Sequence, residues 1–227
     1  MALRNTISVI NFDTHPKVKR VVEMYPNVLR CGIFAPSGGG KTNVLLTILV
    51  HMKPFWNIYL CSKTASQEKY NFLQDLVTSH NNKQSKKIQF HKFTSCNNLP
   101  EPEAIEKNSV IIFDDVLTEN QSKIANFFLR GRHRDISCFF LSQAYNKISK
   151  KSGIRENFNY LILFKQDLIN LRQIHLEYVS DLAFDKFKDI CNICWRKPFG
   201  FLVIDVENDM CRYKRNFQER IHTSTYT

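Results

Sequence analysis

A glycine run followed by lysine and threonine is the part of this sequence that most clearly predicts chemistry. Residues 35–42 read Ala-Pro-Ser-Gly-Gly-Gly-Lys-Thr, which matches the phosphate-binding pattern G-x-x-x-x-G-K-[ST] except that Ala35 replaces the first glycine. Glycine tolerates positive φ angles, so successive backbone N–H groups can point into one concavity that holds an anion. Lys41 would then neutralise the β- and γ-phosphates of ATP, and Thr42 would bind Mg2+. The predicted nucleotide-binding residues are Ser37, Gly38, Gly39, Gly40, Lys41, Thr42 and Asn43.

Two adjacent carboxylates end an apolar segment further along the chain. Residues 109–115 read Ser-Val-Ile-Ile-Phe-Asp-Asp, which is typical of a buried strand that ends in two acids. Because side chains alternate along a strand, the two carboxylates face different ways. We assign Asp114 to the metal and Asp115 to the general base or to the orientation of the attacking water. One aspartate could instead cap the next helix, but a capping box of Thr118 and Gln121 already serves that helix.

A neutral amide follows another apolar segment. Residues 136–141 predict a buried strand, and Gln143 comes two residues after it. An amide at this position suits contact with the γ-phosphate or positioning of the attacking water, as glutamine does in some NTPases. Polar residues end many strands, so the catalytic role predicted for Gln143 depends on the phosphate loop and the acid pair lying beside it.

Basic residues cluster on both sides of that segment. The first cluster is Arg130, Arg132, His133 and Arg134, and the second is Lys147, Lys150, Lys151 and Arg155. Guanidinium groups stabilise the charge that develops on a transferring phosphoryl group, so one arginine is a candidate finger for a neighbouring subunit's ATP. The others are candidates for contacts with a DNA backbone, or form a solvated charged face. Arg155 is our first choice for the finger, followed by Arg132 and Arg134.

The order of the elements that carry these groups predicts an α/β fold. Near-continuous apolar runs alternate with helical patterns, which indicates a mostly parallel sheet flanked by helices. The predicted strands are 28–34, 58–61, 88–93, 109–113, 136–141, 160–164, 199–206 and 211–217. The predicted helices are 44–51, 67–77, 121–130 and 182–194. The last two strands flank Glu207-Asn208-Asp209 and predict a C-terminal β-hairpin at one edge of the sheet.

Length and composition fit one main domain. The chain has 227 residues, and we predict an N-terminal extension at 1–27 and a single P-loop ATPase domain at 28–227 that includes the hairpin region 199–217. A net charge of +11 favours a polyanionic partner such as nucleic acid. No apolar run reaches the roughly 18 residues that a membrane span needs, so a soluble intracellular protein is expected.

The seven cysteines are scattered, which favours reduced thiols over a disulfide framework. Cys191 and Cys194 form a lone C-x-x-C pair. Zinc would need two further ligands, and packing of these cysteines on a helix face is the stronger interpretation.

Together these motifs resemble those of the FtsK–HerA type of ASCE P-loop ATPase. The match is to the small genome-packaging ATPases of virophages, Polinton-like elements, poxviruses and related large DNA viruses. The motifs that carry it are residues 35–42, 113–115, 131–134, 141–143 and 154–157. They span roughly residues 28 to 165, and the hairpin is compatible with them. Asp115 stands where many members carry glutamate, which reaches further towards the water.

The resemblance implies a RecA-like sheet in which the strand before Gln143 lies between the phosphate-loop strand and the acid-pair strand. It also implies a homo-oligomeric ring, a pentamer or hexamer, with ATP at the subunit interfaces and an arginine supplied by a neighbour. The ring would move double-stranded DNA into a preformed capsid through contact with the capsid or its portal vertex. The expected location is the host cytoplasm, a viral factory or the virion.

Other functions remain open from the sequence. A nucleotide kinase would use the same phosphate loop, with the arginine-rich segments as a lid and no need for DNA. A GTPase needs Asn-Lys-x-Asp to read guanine, and residues 146–149 lack the aspartate. A helicase is closer, but neither a DEAD-type box nor a second motor domain is present. A non-enzymatic DNA-binding protein has no need for an intact Lys41-Thr42 pair and two adjacent acids.

Overall fold

The computed structural model describes residues 24–223, which form one sheet with helices on both faces. The strands are β1 (Arg30–Phe34), β2 (Asn57–Ser62), β3 (Gln89–Phe93), β4 (Ser109–Asp114), β5 (Ile136–Ser142), β6 (Tyr160–Leu163), β7 (Leu202–Asp205), β8 (Tyr213–Arg215) and β9 (Glu219–Arg220). The helices are α1 (Lys41–His51), α2 (Glu68–Lys83), α3 (Gln121–Arg130), α4 (Leu168–Tyr178) and α5 (Phe184–Cys194). Short 3-10 helices occupy several of the connections.

The nine strands lie in the order β3-β2-β4-β5-β1-β6-β7-β8-β9. Strands β1 to β6 are parallel to one another, and β7, β8 and β9 add in antiparallel fashion beyond β6. The mostly parallel α/β fold and the C-terminal hairpin are therefore confirmed. The phosphate loop follows β1 and the acid pair ends β4, so β5 occupies the position between them that the family resemblance implied.

The core has two layers, one on each face of the sheet. Alternation along the strands divides their side chains between the layers, so that in β4 Val110 and Ile112 face one way and Ile111 and Phe113 the other. Helices α1 and α2 cover the first face, and α3, α4 and α5 cover the second. Burial on both faces explains the near-continuous apolar runs of β1, β4 and β5.

Helix α3 has the predicted bounds, but its N-terminal cap differs from the prediction. The side chain of Asn120 accepts hydrogen bonds from the backbone N–H groups of Ser122 and Lys123. The prediction that Thr118 and Gln121 form a capping box is therefore wrong. Asparagine is among the strongest N-cap residues, and it sits directly before the first helical residue. At the other end the chain continues into a 3-10 helix, Gly131–Arg134, which stops at Asp135 with φ 53°.

Two elements of the structure were not predicted from the sequence. Helix α4 exposes Leu168, Ile169 and Leu176, so its apolar residues do not fall on one face. Strand β9 has only two residues, both exposed. Each lacks the periodicity that identifies a half-buried element.

Residues 1–23 and 224–227 lie outside the described part of the chain, so most of the predicted N-terminal extension does too. Within residues 24–27, Tyr25 is buried against the rings of Tyr160 and Phe217, with ring centroids 5.8 and 6.1 Å away. The packed core therefore includes at least this residue ahead of 28. Between residues 24 and 223 no helix combines the length and the apolar character needed to cross a membrane.

Candidate nucleotide site

The predicted phosphate loop, the acid pair and Gln143 meet because β4, β5 and β1 are parallel neighbours whose carboxyl ends lie at one edge of the sheet. We call this edge the nucleotide edge, comprising residues 35–42, 114–115 and 143. Two backbone hydrogen bonds tie its parts together. The N–H of Ala35 donates to the carbonyl oxygen of Ser142 at 3.2 Å, and that of Asp115 donates to Leu141 at 3.4 Å. Ligands of open α/β sheets bind outside the carboxyl ends of strands, where this edge lies.

The glycines give the phosphate loop its shape. Gly38 and Gly40 have φ angles of 70° and 100°, a left-handed conformation that side chains rarely adopt. Gly39 donates its N–H to Pro36 O at 3.0 Å, and a Cβ on Gly39 would lie 2.9 Å from that same oxygen. The loop leads into α1, which begins at Lys41 with no acidic residue in its first turn. Its N-terminal N–H groups and helix dipole are therefore available to an anion.

A cavity of about 320 Å³ opens over the loop. Residues 38–42 line one side, and Gln67, Glu68 and Lys69, at the start of α2, line the other. The sequence patterns did not predict that α2 reaches the site. Strand β2 ends at the nucleotide edge, beside β4, and so delivers the next helix there.

Lys41 lies across the mouth of the loop. Its Nζ donates to the backbone oxygens of Ala35 at 2.7 Å and Pro36 at 3.1 Å. Partial burial lowers the pKa of this ammonium, while the negative charges of Asp114 and Asp115 act in the opposite direction. A phosphate would offer the ammonium charged acceptors in place of two neutral carbonyl oxygens, which makes a stronger interaction.

Asp114 is the buried member of the acid pair. Its Oδ2 accepts a 2.8 Å hydrogen bond from the hydroxyl of Tyr70, and the side chain of Thr42 lies near that same hydroxyl. Burial raises the pKa of the Asp114 carboxyl, and the Tyr70 hydrogen bond and Lys41 partly offset that rise. Tyr70 therefore lies beside both residues predicted to bind Mg2+. A carboxylate and a hydroxyl are hard oxygen donors that suit this cation, so the residues present fit it.

Tyr70 was not among the predicted site residues. The sequence placed it on the apolar face of α2, where it indeed lies fully buried among aliphatic side chains. The only available signal was a hydroxyl at a core position, which requires a buried hydrogen-bond partner.

Asp115 and Gln143 complete the nucleotide edge. Both side chains are exposed, in contrast to Asp114. The φ angle of Asp115 is 55°, so the chain turns sharply after β4 and the second acid leaves the strand direction. Gln143 follows β5 by one residue, between the strands that carry the phosphate loop and the acids. An exposed carboxylate and amide near the phosphate loop are suited to hold a water molecule for attack on phosphorus.

Arg155, our first choice for the finger, is buried within its own subunit. Its side chain is only 3% exposed, and its guanidinium contacts Glu177 at 3.2 Å, the backbone oxygen of Asn146 at 2.5 Å and the ring of Tyr145. These contacts already give the guanidinium its partners within its own subunit. Its placement argues against the finger role predicted for Arg155.

Arg132 and Arg134 lie at the opposite end of the sheet from the phosphate loop. They belong to the 3-10 helix that precedes β5, whereas the site lies beyond the carboxyl end of that strand. Arg132 is exposed, and Arg134 is half-buried with one N–H donated to Ile105 O at 3.1 Å. Neither can join the site of its own subunit, so any role in hydrolysis would have to act on a neighbour.

The cysteine pair lies within the core. Cys191 and Cys194 are both buried on the side of α5 that faces the sheet. Among residues 24–223, no group of three histidine, cysteine or acidic side chains is placed to hold a metal ion.

Comparison with known proteins identifies the family. The sequence profile described as "Poxvirus A32 protein" matches residues 20–180, well over half of the chain. This chain belongs to the poxvirus A32 protein family. The resemblance inferred from the motifs, which included poxvirus ATPases, is thereby confirmed. A search of curated protein sequences found no significant match.

Solved structures similar to this A32 family member share its fold. One is the genome packaging NTPase B204 from Sulfolobus turreted icosahedral virus 2 with sulfate, at 15% identity and a TM-score of 0.58, covering 87% of this chain and 98% of that one. The same NTPase with AMPPCP has a TM-score of 0.57 at 15% identity, covering 86% and 100%. B204 from Sulfolobus turreted icosahedral virus, described as a DNA-packaging ATPase, has a TM-score of 0.55 at 17% identity. The match covers 87% of this chain and 99% of that one. The fold is thus that of viral packaging NTPases.

Proposed function

We propose that this A32 family member is an ATP-hydrolysing motor that packages double-stranded viral DNA into a preformed capsid. The observation that carries the proposal is the nucleotide edge, where the strand order brings Lys41, Asp114, Asp115 and Gln143 to one phosphate loop. The family and the B204 fold support packaging over other uses of a phosphate loop. A nucleotide kinase would share the loop but has no such support.

The chemistry follows from what each group can do. The backbone N–H groups of residues 38–42 and the Lys41 ammonium hold the triphosphate. Thr42 and Asp114 would hold Mg2+, which supplies charge neutralisation between the β- and γ-phosphates when bound. Asp115 accepts a proton from the attacking water or orients it, and Gln143 fixes the position of that water. Exposure of both groups lets them act once a neighbouring subunit closes the site.

The open position of the site supports a ring. The nucleotide edge of one subunit is exposed, and within residues 24–223 it receives no arginine from its own chain among those predicted as fingers. We assign the finger to the segment Gly131–Arg134, with Arg132 as the first candidate because its guanidinium is exposed. The ring is a pentamer or hexamer in which this segment faces the ATP of the next subunit.

The positive charge supports DNA as the substrate of translocation. The net charge is +11, and the connection between β5 and β6 exposes Lys147, Lys150 and Lys151. Lysines that contact phosphates release condensed counterions, so binding through them weakens steeply with salt. The family and the packaging fold support a ring that works at the capsid or its portal vertex, in the host cytoplasm, a viral factory or the virion.

The test is the ATPase rate with and without long double-stranded DNA, at low and moderate salt. We expect DNA to stimulate turnover and salt to reduce that stimulation. The double variant Lys150→Gln/Lys151→Gln should lose part of the stimulation. Its matched control, Lys83→Gln/Lys87→Gln, removes the same charge from the end of α2 and the segment that follows it, and should keep the stimulation. Turnover indifferent to DNA in the wild type would contradict the proposal and favour a kinase-like enzyme.

A further inference from the structure

A solvent-exposed phenylalanine stands beside the phosphate loop. The side chain of Phe199 is 69% exposed, whereas the phenylalanines of the strands and helices around the sheet are mostly buried. A Cβ on Gly40 would lie 3.6 Å from Cδ1 of Phe199, so the ring borders the last glycine of the loop. Exposing an aromatic ring of this size costs favourable burial and calls for an explanation.

The backbone holds this ring outward under strain. The N–H of Gly200 donates to Lys197 O at 3.0 Å, which closes a turn with Pro198 and Phe199 at its centre. The φ angle of Phe199 is 58°, in a turn position where glycine or asparagine is favoured. The backbone of Gly200 packs closely on the end of α5, because a Cβ at this position would lie 2.1 Å from the backbone oxygen of Cys194. Strained residues of this kind cluster at ligand sites.

The support beneath the turn is rigid. The indole N–H of Trp195 donates to Leu163 O at 2.8 Å and ties the end of α5 to the end of β6. The ring of Phe164 would lie 3.5 Å from a Cβ on Gly40 and packs on Phe201 with ring centroids 5.2 Å apart. Phe199 therefore projects from a fixed base instead of a loose loop.

Phe199 and the acid pair lie on opposite sides of the phosphate-loop strand β1. The acids and Gln143 lie on the β4 and β5 side of β1, which fixes the γ-phosphate there. Phe199 precedes β7, which lies two strands beyond β1 on the other side. Neighbouring strands are about 4.8 Å apart, so β7 lies roughly 10 Å from β1. A ribose and a base can span a separation of this size.

We propose that Phe199 is the platform on which the base of the nucleoside triphosphate stacks. This inference rests on the proposed function, because it requires a nucleotide in the phosphate loop. Stacking uses the π-face that every base offers, and purines offer the larger face. Phe199 therefore favours base-bearing over base-free triphosphates and purines over pyrimidines. It does not distinguish adenine from guanine.

The test compares Mg2+–ATP with Mg2+–tripolyphosphate, which fills the loop but has no base. We expect Phe199→Ala to weaken ATP binding roughly tenfold and to leave tripolyphosphate binding unchanged. Phe199→Asn should weaken ATP binding equally while raising the thermal stability, since asparagine tolerates positive φ. Phe199→Trp should bind ATP with the wild-type affinity. Its indole fluorescence should fall when ATP binds and should not change when tripolyphosphate binds. Leu176→Ala, which removes an exposed side chain of α4, should match the wild type.

The outcomes separate this inference from the proposed function. If Lys41→Ala abolishes ATP binding but Phe199→Ala does not change it, the stacking role is overturned and the nucleotide site stands. An equal loss of ATP and tripolyphosphate binding in Phe199→Ala would also overturn it, because the variant would then have distorted the loop. A wild-type protein that binds neither compound would overturn both.

Discussion

The nucleotide edge and the surroundings of Arg155 both carry charged residues that the sequence marked for chemistry, but the structure treats them differently. At the nucleotide edge, Asp115 and Gln143 are exposed, and the ammonium of Lys41 donates hydrogen bonds to neutral backbone carbonyl oxygens. Arg155 is enclosed, with Glu177, a backbone oxygen and an aromatic ring around it. Charged residues in a motif become functional when their partners are left for a ligand, and structural when the fold supplies those partners.

Lys41→Ala gives the largest effect that this comparison predicts. It removes the ammonium that lies against the backbone of the phosphate loop, so we expect ATP turnover to fall at least a thousandfold, since charge stabilisation is the main part of phosphoryl-transfer catalysis. A coupled assay of phosphate release measures it. Lys107→Ala removes an exposed lysine before β4 and serves as the control. Turnover unchanged in Lys41→Ala would show that the phosphate loop is not the site.

The second prediction contrasts two arginines. Arg132→Ala should lower turnover about a thousandfold with normal stability, because an arginine finger acts on the transition state. Arg155→Ala should instead lower the free energy of unfolding by about 3 kcal/mol, because it leaves the Glu177 carboxylate without its buried partner. Urea unfolding and ATPase assays separate the two.

Mixing subunits tests whether the finger acts between them. Arg132→Ala mixed with Lys41→Ala should recover part of the activity, because some interfaces then combine an intact loop with an intact finger. Recovery with Arg155→Ala in place of Arg132→Ala would reverse the assignment and would mean that Arg155 leaves its enclosure in the ring.

The smallest predicted effect concerns Tyr70. Burial raises the pKa of Asp114, and Mg2+ binds its ionised form, so metal affinity falls as the pH drops through that raised value. Tyr70→Phe removes a hydrogen bond that stabilises the carboxylate, which should move this loss of metal affinity to higher pH. Mg2+ titrations monitored by nucleotide binding across pH 5 to about 8 would show it. An unshifted profile would mean that Tyr70 only fills space.

Much of the fold could be predicted from the sequence because its strands are buried on both faces. The runs at 109–113 and 136–141 matched β4 and β5 nearly residue for residue, and the hairpin of β7 and β8 was also predicted. Helix α4 could not be predicted, because its exposed leucines and isoleucine break the helical period. The cap of α3 was misplaced because Asn120, directly before the helix, accepts the capping hydrogen bonds that the sequence pattern assigned to Thr118.

The candidate site, like the fold, could be predicted from the sequence only in part. The sequence by itself determined the phosphate loop and the acid pair, since their chemistry rests on backbone conformation and on adjacent residues. Only the tertiary structure decided that Tyr70 hydrogen-bonds Asp114, that Phe199 borders Gly40, and that Arg155 is enclosed. These relations join residues far apart in the chain. They depend on which residues are buried and which lie close together in the folded protein, and the local spacing of residues along the chain predicts neither.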